Sequence, residues 1–303
     1  MKGHAMKRIV FIVVLALIAG SWGGNLWVYY NSQLPEPVFF KHYIEVENSP
    51  GYSFDLNYLE NKSAKVKIQS IRIPELPNAT VTPILVQNSY VHQNQGTMRT
   101  QIMDYDLLQP TFPEDGPLVI HRVEAVFDDN STKELEIGEI RVYNDLLKGD
   151  SPIQSTSGGS SSENAGYTRV KFTKDTVITE ISSAYLPGLG DRLTVILEAP
   201  SIKHLEQSEI QFGSETTHSG VPLSQIPFPL KFKKGDTASV TYKFDPLQNA
   251  DAMAKSEVYR FLLRMELQLD NGKKAAYPIF VQSDPYLSQR EVAAIVKSRR
   301  SGS

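Results

Sequence analysis

The chain has 303 residues, of which 41% are hydrophobic and 21% charged, so it holds enough apolar side chains to build packed cores. This composition excludes wholesale disorder, and it also excludes a membrane protein with many spans. The net charge is -3, and the first 31 residues carry three basic groups and no acidic one, which leaves -6 on the remainder. An acidic body argues against nucleic acid as a partner.

The N-terminus predicts a membrane-spanning helix. An apolar run of 22 residues extends over residues 9–30, and a helix of that length crosses a hydrocarbon core of about 30 Å. Residues 1–8 are basic, so we expect them to stay in the cytoplasm while the bulk of the chain is extracytoplasmic. The predicted location is the cell membrane, with a single-pass signal-anchor helix.

A cleaved signal peptide is the alternative interpretation of the same segment. The uninterrupted run from Ile9 to Ala19 has the length of a signal-peptide core, and Ala19-Gly20-Ser21 is an acceptable cleavage site. Cleavage would make the protein secreted. Apolar character resumes after Gly23-Gly24 and continues to Tyr30, which favours the retained anchor.

Cysteine is absent from the chain, so neither disulfides nor a lipid-accepting thiol are available. An exported β-rich protein without disulfides is more typical of a bacterial envelope than of a secreted eukaryotic protein. Its stability has to come from apolar burial and hydrogen bonds.

A Ser/Gly-rich tract divides the exported part. Residues 148–166 contain Ile153 as their only large apolar side chain, and such a composition predicts a flexible linker. The linker separates residues 36–147 from residues 167–284, each of which has the size of one domain. A long loop inside one larger domain is the alternative.

Alternating apolar and polar residues predict antiparallel strands in both blocks. Residues 228–244 alternate on both sides of Gly235-Asp236, which we interpret as a hairpin. A second hairpin is expected around Asn271-Gly272, and a third around residues 128–131. An odd spacing across Gly138 indicates a β-bulge.

The predicted fold class is therefore all-β, with two tandem antiparallel β-sandwich domains of immunoglobulin-like type behind the N-terminal transmembrane helix. The similar turns near the end of each block suggest an internal duplication, although unrelated hairpins converge on such turns as well.

Residues 285–303 are predicted to form a short C-terminal helix and a basic tail. Ser288 and Glu291 have the spacing of a capping box, and Val292, Ile295 and Val296 form one apolar stripe. We expect this helix to pack on its own domain rather than on a partner.

A search for reactive constellations predicts no catalytic residue, no cofactor site and no metal site. The histidines lack metal-binding spacing, no strained serine elbow occurs, and Gly188-Leu189-Gly190 lacks the rest of a dinucleotide fingerprint. Carboxylates in the turns at Asp104, Glu114 and Asp128 leave calcium binding or a hydrolase with dispersed acids open.

Two sets of side chains form a candidate interaction surface. The lysines are those on the outer face of the predicted 228–244 hairpin, and the aromatic residues are loop tyrosines of the kind that stack on sugar rings. The set comprises Lys231, Lys233, Lys234, Lys243, Tyr90, Tyr105 and Tyr185. Both tryptophans, Trp22 and Trp27, fall in the anchor, which weakens the case for glycan binding.

The sequence thus predicts a non-enzymatic, membrane-anchored envelope protein that acts as a protein-interaction or assembly module. Its expected partners are the membrane, through residues 9–30, and another envelope protein or a wall polymer. A surface module for wall polymer or glycan is the first alternative, and an envelope hydrolase is the second.

Overall fold

The structure is a computed structural model, and it describes residues 2–104, 109–114, 116–144, 151–212, 216–245, 253–269 and 272–301. The first half comprises α1 (Lys2–Asn31), β1 (Val38–Phe39), β2 (His42–Glu47), β3 (Ser53–Asn61), β4 (Ile68–Arg72), β5 (Ala79–Ser89), β6 (Gln93–Ile102), β7 (Leu118–Phe127) and β8 (Thr132–Tyr143). The second half comprises β9 (Ile153–Ser160), β10 (Ala165–Phe172), β11 (Thr176–Ser182), α2 (Leu186–Leu189), β12 (Leu193–Glu198), β13 (Ser208–Phe212), β14 (Thr216–Pro222), β15 (Leu230–Phe232), β16 (Thr237–Phe244), β17 (Val258–Leu269), β18 (Lys274–Ser283) and α3 (Gln289–Ser301).

Helix α1 stands outside the folded body. Its Val10–Asn31 stretch has 22 residues and a mean hydropathy of 1.8, and none of the apolar window is buried by the rest of the chain. Trp22 and Trp27 are both 69% exposed. The protein therefore carries one N-terminal helix, among the described residues, that is long and apolar enough to span a membrane.

The remainder is mostly β, and its described strands form three sheets. The four-stranded sheet has the order β1-β3-β6-β5, the six-stranded sheet β13-β14-β12-β16-β10-β9, and the eight-stranded sheet β15-β11-β17-β2-β8-β7-β4 with β18 on β17. An N-terminal core, with Leu56, Met98 and Ile140, lies between the four- and eight-stranded sheets. A C-terminal core, with Val240 and Phe261, lies between the six- and eight-stranded sheets.

Strand β17 joins the strands that cover the two cores into one continuous eight-stranded sheet. One of its edges pairs with β18 along most of its length. The other edge pairs first with β2, in parallel, through Val258, Tyr259 and Arg260, and then with β11 from Arg264 to Leu269. Because Arg260 aligns with Ile44 of the N-terminal core while Tyr259 belongs to the C-terminal core, the two cores use opposite faces of this sheet.

Two predicted hairpins and the predicted bulge are confirmed. Strands β7 and β8 pair around the 128–131 turn, and β17 and β18 pair around the second turn, of which Gly272 is described and residues 270–271 are not. The register of β7 and β8 shifts opposite Gly138, which has φ +98°. A Cβ there would lie 2.4 Å from the backbone oxygen of His42, so glycine lets β2 approach β8 at the bulge.

The prediction of a hairpin over residues 228–244 is wrong. Strand β15 pairs with β11 in the eight-stranded sheet, whereas β16 pairs with β10 and β12 in the six-stranded sheet. The chain crosses from one sheet to the other at Gly235, whose N–H donates to the Phe172 oxygen over 2.8 Å. Alternation correctly predicts which side chains enter the core, but it does not say which strand supplies the hydrogen bonds.

The flexible linker predicted over residues 148–166 also needs correction. Residues 153–160 form the edge strand β9, which pairs with β10 from Ile153↔Phe172 to Ser160↔Gly166, while residues 148–150 lie outside the described residues. Only Ile153 is buried in this strand. The side chains are largely unburied, as their composition predicts. Main-chain hydrogen bonds to strand β10 nevertheless order the backbone of β9 without side-chain burial.

Helix α3 begins as predicted and packs differently from the prediction. The Ser288 N–H donates to the Glu291 carboxylate over 2.8 Å, and the Glu291 N–H donates back to the Ser288 hydroxyl over 3.3 Å, which completes the capping box. The apolar stripe of α3, however, packs mainly on residues before and within the first block, while the second block contributes Val258 and the partly buried Met253. This small third cluster includes Leu34, Val38, Phe40, Leu59, Val258, Val292, Ile295 and Val296.

Candidate functional site

The junction of the two cores contains a buried carboxylate at a break in strand pairing. Between Arg260, which pairs with Ile44 of β2, and Arg264, which pairs with Ser182 at the end of β11, the edge of β17 opposite β18 has no strand partner at Leu262 among the described residues. The Glu45 side chain, 0% exposed, fills this gap: its Oε2 accepts from the Leu262 N–H over 3.0 Å. Its Oε1 accepts from the Tyr143 hydroxyl (2.9 Å) and from Arg264 Nη2 (3.1 Å). The guanidinium of Arg264 also lies 4.5 Å from the centroid of the Tyr143 ring.

A second charged group bridges the cores on the other side of β2. Arg99 donates two hydrogen bonds to the Asp55 carboxylate, at 2.8 and 3.0 Å, and Arg260 of β17 approaches it at 3.5 Å. Arg260 also donates to Asp284. Burial alone would raise the pKa of Asp55, but the hydrogen bonds and charges of the two arginines outweigh it and lower that pKa.

Tyr185 closes the junction and is not the exposed loop residue that the sequence predicted. It is 8% exposed, and its hydroxyl lies 3.1 Å from the Glu139 oxygen and 3.3 Å from the Ile44 oxygen, both in the first half of the chain. Its ring contacts that of Tyr43 at 5.7 Å, and Tyr43 stacks on Tyr259 at 4.9 Å. Burial raises the pKa of Tyr185 above the ordinary range, so the hydroxyl stays protonated and donates.

His42 is a fully buried, neutral histidine beneath the same strand pair. The Asn57 N–H donates to its Nε2 over 2.9 Å, so Nδ1 carries the proton and faces the Ile137 oxygen at 3.1 Å. Desolvation lowers the pKa of His42 to about 4. Both ring nitrogens are therefore occupied by the backbone, and the group positions β2 against β3 and β8.

Among the clefts beside the junction, two carry exposed aromatic side chains. The larger of these two, of about 560 Å³, is here called the polar cleft for its charged lining; it contains the Arg192–Glu257 ion pair (2.7 Å), Lys243 and, at its rim, Tyr286, which is 87% exposed. The smaller, of about 220 Å³, is apolar and is lined by Tyr52 and Phe280, which are 44% and 51% exposed. It forms where the four-stranded sheet ends and the eight-stranded sheet continues.

The structure separates Lys243 from the other three predicted lysines. Lys231 lies on β15, Lys233 and Lys234 lie in the crossing to the other sheet, and Lys243 lies on β16 at the polar cleft. The prediction of one basic face failed because it rested on a hairpin that does not form.

Of the remaining predicted tyrosines, Tyr105 lies outside the described residues, and Tyr90 is half-buried. The Tyr90 hydroxyl lies 3.1 Å from both the Leu287 oxygen and Gln95 Oε1, so it holds the start of α3 against the β5–β6 turn. Tyr90 is therefore not an open stacking surface.

The two carboxylates of the 128–131 turn hold backbone in place: Asp128 Oδ1 accepts from the Lys67 N–H over 3.2 Å. Asp129 Oδ1 accepts from the N–H (2.9 Å) and hydroxyl (2.6 Å) of Ser131, which lowers the pKa of Asp129. In the described part of the chain, no group of three histidine, aspartate or glutamate side chains is arranged to hold a metal ion.

Sequence reasoning missed the residues that matter most at the junction, namely Glu45, Asp55, Arg260 and Arg264. Each sits in an alternating strand where a charged residue is ordinarily read as facing solvent. The one available signal was the density of charge within otherwise apolar strands, as in His42–Glu47.

The base of the molecule, where α1 meets the folded body, is held by side chains from three elements. Arg300 of α3 donates to the Tyr30 oxygen over 2.7 Å, Asn61 Nδ2 donates to the Leu34 oxygen over 2.8 Å, and Gln93 Nε2 donates to the Ser32 oxygen over 2.7 Å. The exit from α1 is therefore fixed to the body.

No protein-family model and no curated protein matches the chain.

Proposed function

We propose that the chain is a membrane-anchored, extracytoplasmic protein of the cell envelope whose folded body is a non-catalytic protein-interaction or assembly module. The observation that carries this proposal is the use made of four buried or half-buried ionisable groups. Glu45, Asp55, His42 and Glu257 are each engaged by structural partners that join strands or cores. The same groups would have to be free to act as acids or bases in the hydrolase alternative.

The proposed orientation places the body outside the cytoplasm. Its support is the basic character of residues 1–8 and the unburied apolar helix that follows. Because the chain lacks cysteine, one introduced at the exposed Tyr286 is a unique label site. We expect Tyr286→Cys to react with a membrane-impermeant maleimide in intact cells. Reaction only after lysis would contradict the orientation.

We further propose that each core is an immunoglobulin-like sandwich. Support comes from the antiparallel hairpins and from the stacking of two sheets on each core. The shared central sheet is the feature that separates this arrangement from two independent tandem domains.

The apolar cleft beside the junction is the proposed binding face for a protein partner. Tyr52 and Phe280 are large, exposed aromatic residues next to Arg260 and Glu47, so an apolar centre is surrounded by charge. Aromatic anchors in a polar rim are typical of protein interfaces. A volume of about 220 Å³ suits one or two apolar side chains of the partner.

Site-specific photo-crosslinking in intact cells tests this face. A photoreactive phenylalanine analogue is placed at Phe280 and, as the matched control, at Tyr286 in the polar cleft. We expect one discrete protein adduct from position 280 and none from position 286, and Phe280→Asp should prevent capture by the analogue at Tyr52. Equal capture from both positions, or none from position 280, would contradict the assignment.

Binding of wall polymer or glycan is a second candidate, and one observation favours it. Tyr286 projects at the rim of the polar cleft, close to Lys243 and to Lys255, which pairs with Glu291 at 3.3 Å. An exposed ring beside hydrogen-bonding groups suits a sugar. Under this alternative, Tyr286→Ala abolishes pull-down by insoluble wall material, while Phe280→Ala leaves it unchanged.

A further inference from the structure

We propose that the base of the folded body is a cationic surface that binds the anionic headgroups of the bilayer that α1 spans, and thereby fixes the orientation of the body. This surface consists of Lys62, Lys65, Lys297 and Arg300. The inference rests on α1 being the membrane anchor, and it adds a lipid contact that the anchor alone does not require.

The turn after β3 carries Lys62 and Lys65 and lies close to the end of α1. The hydroxyl of Ser63, in the turn after β3, lies 3.1 Å from Oε1 of Gln33, two residues beyond α1. The Lys62 N–H donates to the His92 oxygen over 2.9 Å, and the His92 ring contacts the Tyr29 ring at 5.7 Å. The turn that carries Lys62 and Lys65 is therefore beside the last turn of the anchor helix.

The C-terminal end of α3 reaches the same place from the opposite end of the chain. Arg300 Nη1 donates to the oxygens of Tyr30 (2.7 Å) and Gln33 (3.2 Å). Lys297 lies one helical turn before it and is exposed. A guanidinium at the carbonyl end of α1 also stabilises the helix dipole, so this charge is held in place at the membrane surface.

Lys62, Lys65 and Lys297 are exposed, and none of the ion pairs recorded among the described residues includes them. Glu60, the acidic residue nearest to Lys62 in the chain, is buried, and burial raises its pKa, which disfavours its charge. Glu36 pairs with Lys133, and Glu291 pairs with Lys255 and caps α3. The base is thus positive although the body as a whole is acidic.

An exposed apolar side chain lies beside these lysines, near the end of α1. Val91, at the tip of the β5–β6 turn, is 65% exposed and sits next to His92. An apolar side chain among basic residues, beside the end of a membrane helix, is positioned to enter the headgroup layer. Lipid is favoured over a protein as the occupant because the exit from α1 already places this surface at the bilayer.

The expected effect follows from the attraction of basic residues to anionic membranes. Each lysine near such a surface contributes about 1 kcal/mol, which is about fivefold in the ratio of docked to undocked orientations. Removing three lysine charges should therefore lower that ratio about a hundredfold. Because the contribution is Coulombic, high salt should mimic the loss.

The experiment uses the full chain in nanodiscs, with a single environment-sensitive fluorophore on Val91→Cys. Nanodiscs of phosphatidylcholine are compared with nanodiscs of phosphatidylcholine and phosphatidylglycerol, and quenching of the probe by a water-soluble quencher is measured. We expect phosphatidylglycerol to protect the probe, Lys62→Gln/Lys65→Gln/Lys297→Gln to remove that protection, and the control Lys171→Gln/Lys203→Gln/Lys274→Gln to retain it.

Equal quenching in both lipids, or protection that persists in the triple base variant, would overturn this proposal alone. Failure of the chain to enter nanodiscs would overturn the membrane anchor as well, so the two failures are distinguishable.

Discussion

The junction between the cores and the base beneath them use charge in opposite ways. At the junction, the buried Glu45 and the half-buried Asp55 are both paired with arginines. At the base, Lys62 and Lys297 are exposed and unpaired among the described residues. Paired charge joins parts of one chain, whereas unpaired charge of one sign is available to something outside it.

The largest effect is expected from breaking the junction. Arg264→Met leaves the 0% exposed Glu45 carboxylate without its cation, which should cost about 3–5 kcal/mol of the free energy of unfolding. Arg169→Met, which breaks the exposed pair with Glu198, should cost less than about 1 kcal/mol. Urea unfolding of both variants in detergent measures the difference, and equal costs would contradict a structural role for Glu45.

The next effect is a pH dependence that originates at His42. The pKa of His42 is about 4 in the folded state against 6.5 as the reference, so the unfolded state takes up its proton first as the pH falls. Stability is therefore lost between pH 6.5 and pH 4, by about 3 kcal/mol at about 1.4 kcal/mol per unit. Asp55, with its lowered pKa, loses its contribution only at lower pH.

Urea midpoints of the wild type and of His42→Gln across this range test the assignment. We expect a steep decline for the wild type and a shallower one for the variant, whatever the absolute stability of the variant. Parallel declines would assign the pH dependence to other groups.

A smaller effect is expected where α3 meets α1. Arg300→Gln removes the charged donor to the Tyr30 and Gln33 oxygens and should raise the amide exchange rate of residues 30–34 by about tenfold, corresponding to about 1.4 kcal/mol. Arg290→Gln, an exposed change on the same helix, should leave that rate unchanged. An equal response to both would show that general helix charge, rather than this contact, holds the exit of α1.

The smallest effect sharpens the contrast. Lys62→Gln/Lys65→Gln/Lys297→Gln should change the free energy of unfolding in detergent by less than about 0.5 kcal/mol, because exposed side chains without partners contribute little. A large loss of stability would instead place these lysines among the structural charges.

The comparison with the sequence shows which information is local. The apolar N-terminal helix, the capping box at Ser288 and the bulge at Gly138 depend on neighbours in the chain, and all three were predicted. The separation of β15 from β16 and the pairing of β9 depend on partners that are distant in sequence. Alternation defines a buried face, but it is silent on which strands are adjacent.

The candidate sites were harder to predict for the same reason. Tyr185 was expected in an exposed loop, yet its partners Ile44 and Glu139 lie in the other half of the chain. The cationic surface at the base forms only where the turn that carries Lys62 and the end of α3 that carries Lys297 meet beside α1. Neither segment contains a sequence pattern that predicts this contact.

The central claim is that β17 unites the two cores into one body, in place of two domains on a flexible linker. Double electron–electron resonance tests it directly, since the chain contains no native cysteine. Spin labels at Thr132→Cys and Lys171→Cys report across the junction, and labels at Thr132→Cys and Gln101→Cys report within the N-terminal core. We predict a cross-junction distance distribution as narrow as the one within the core; a broad distribution across the junction would contradict the account.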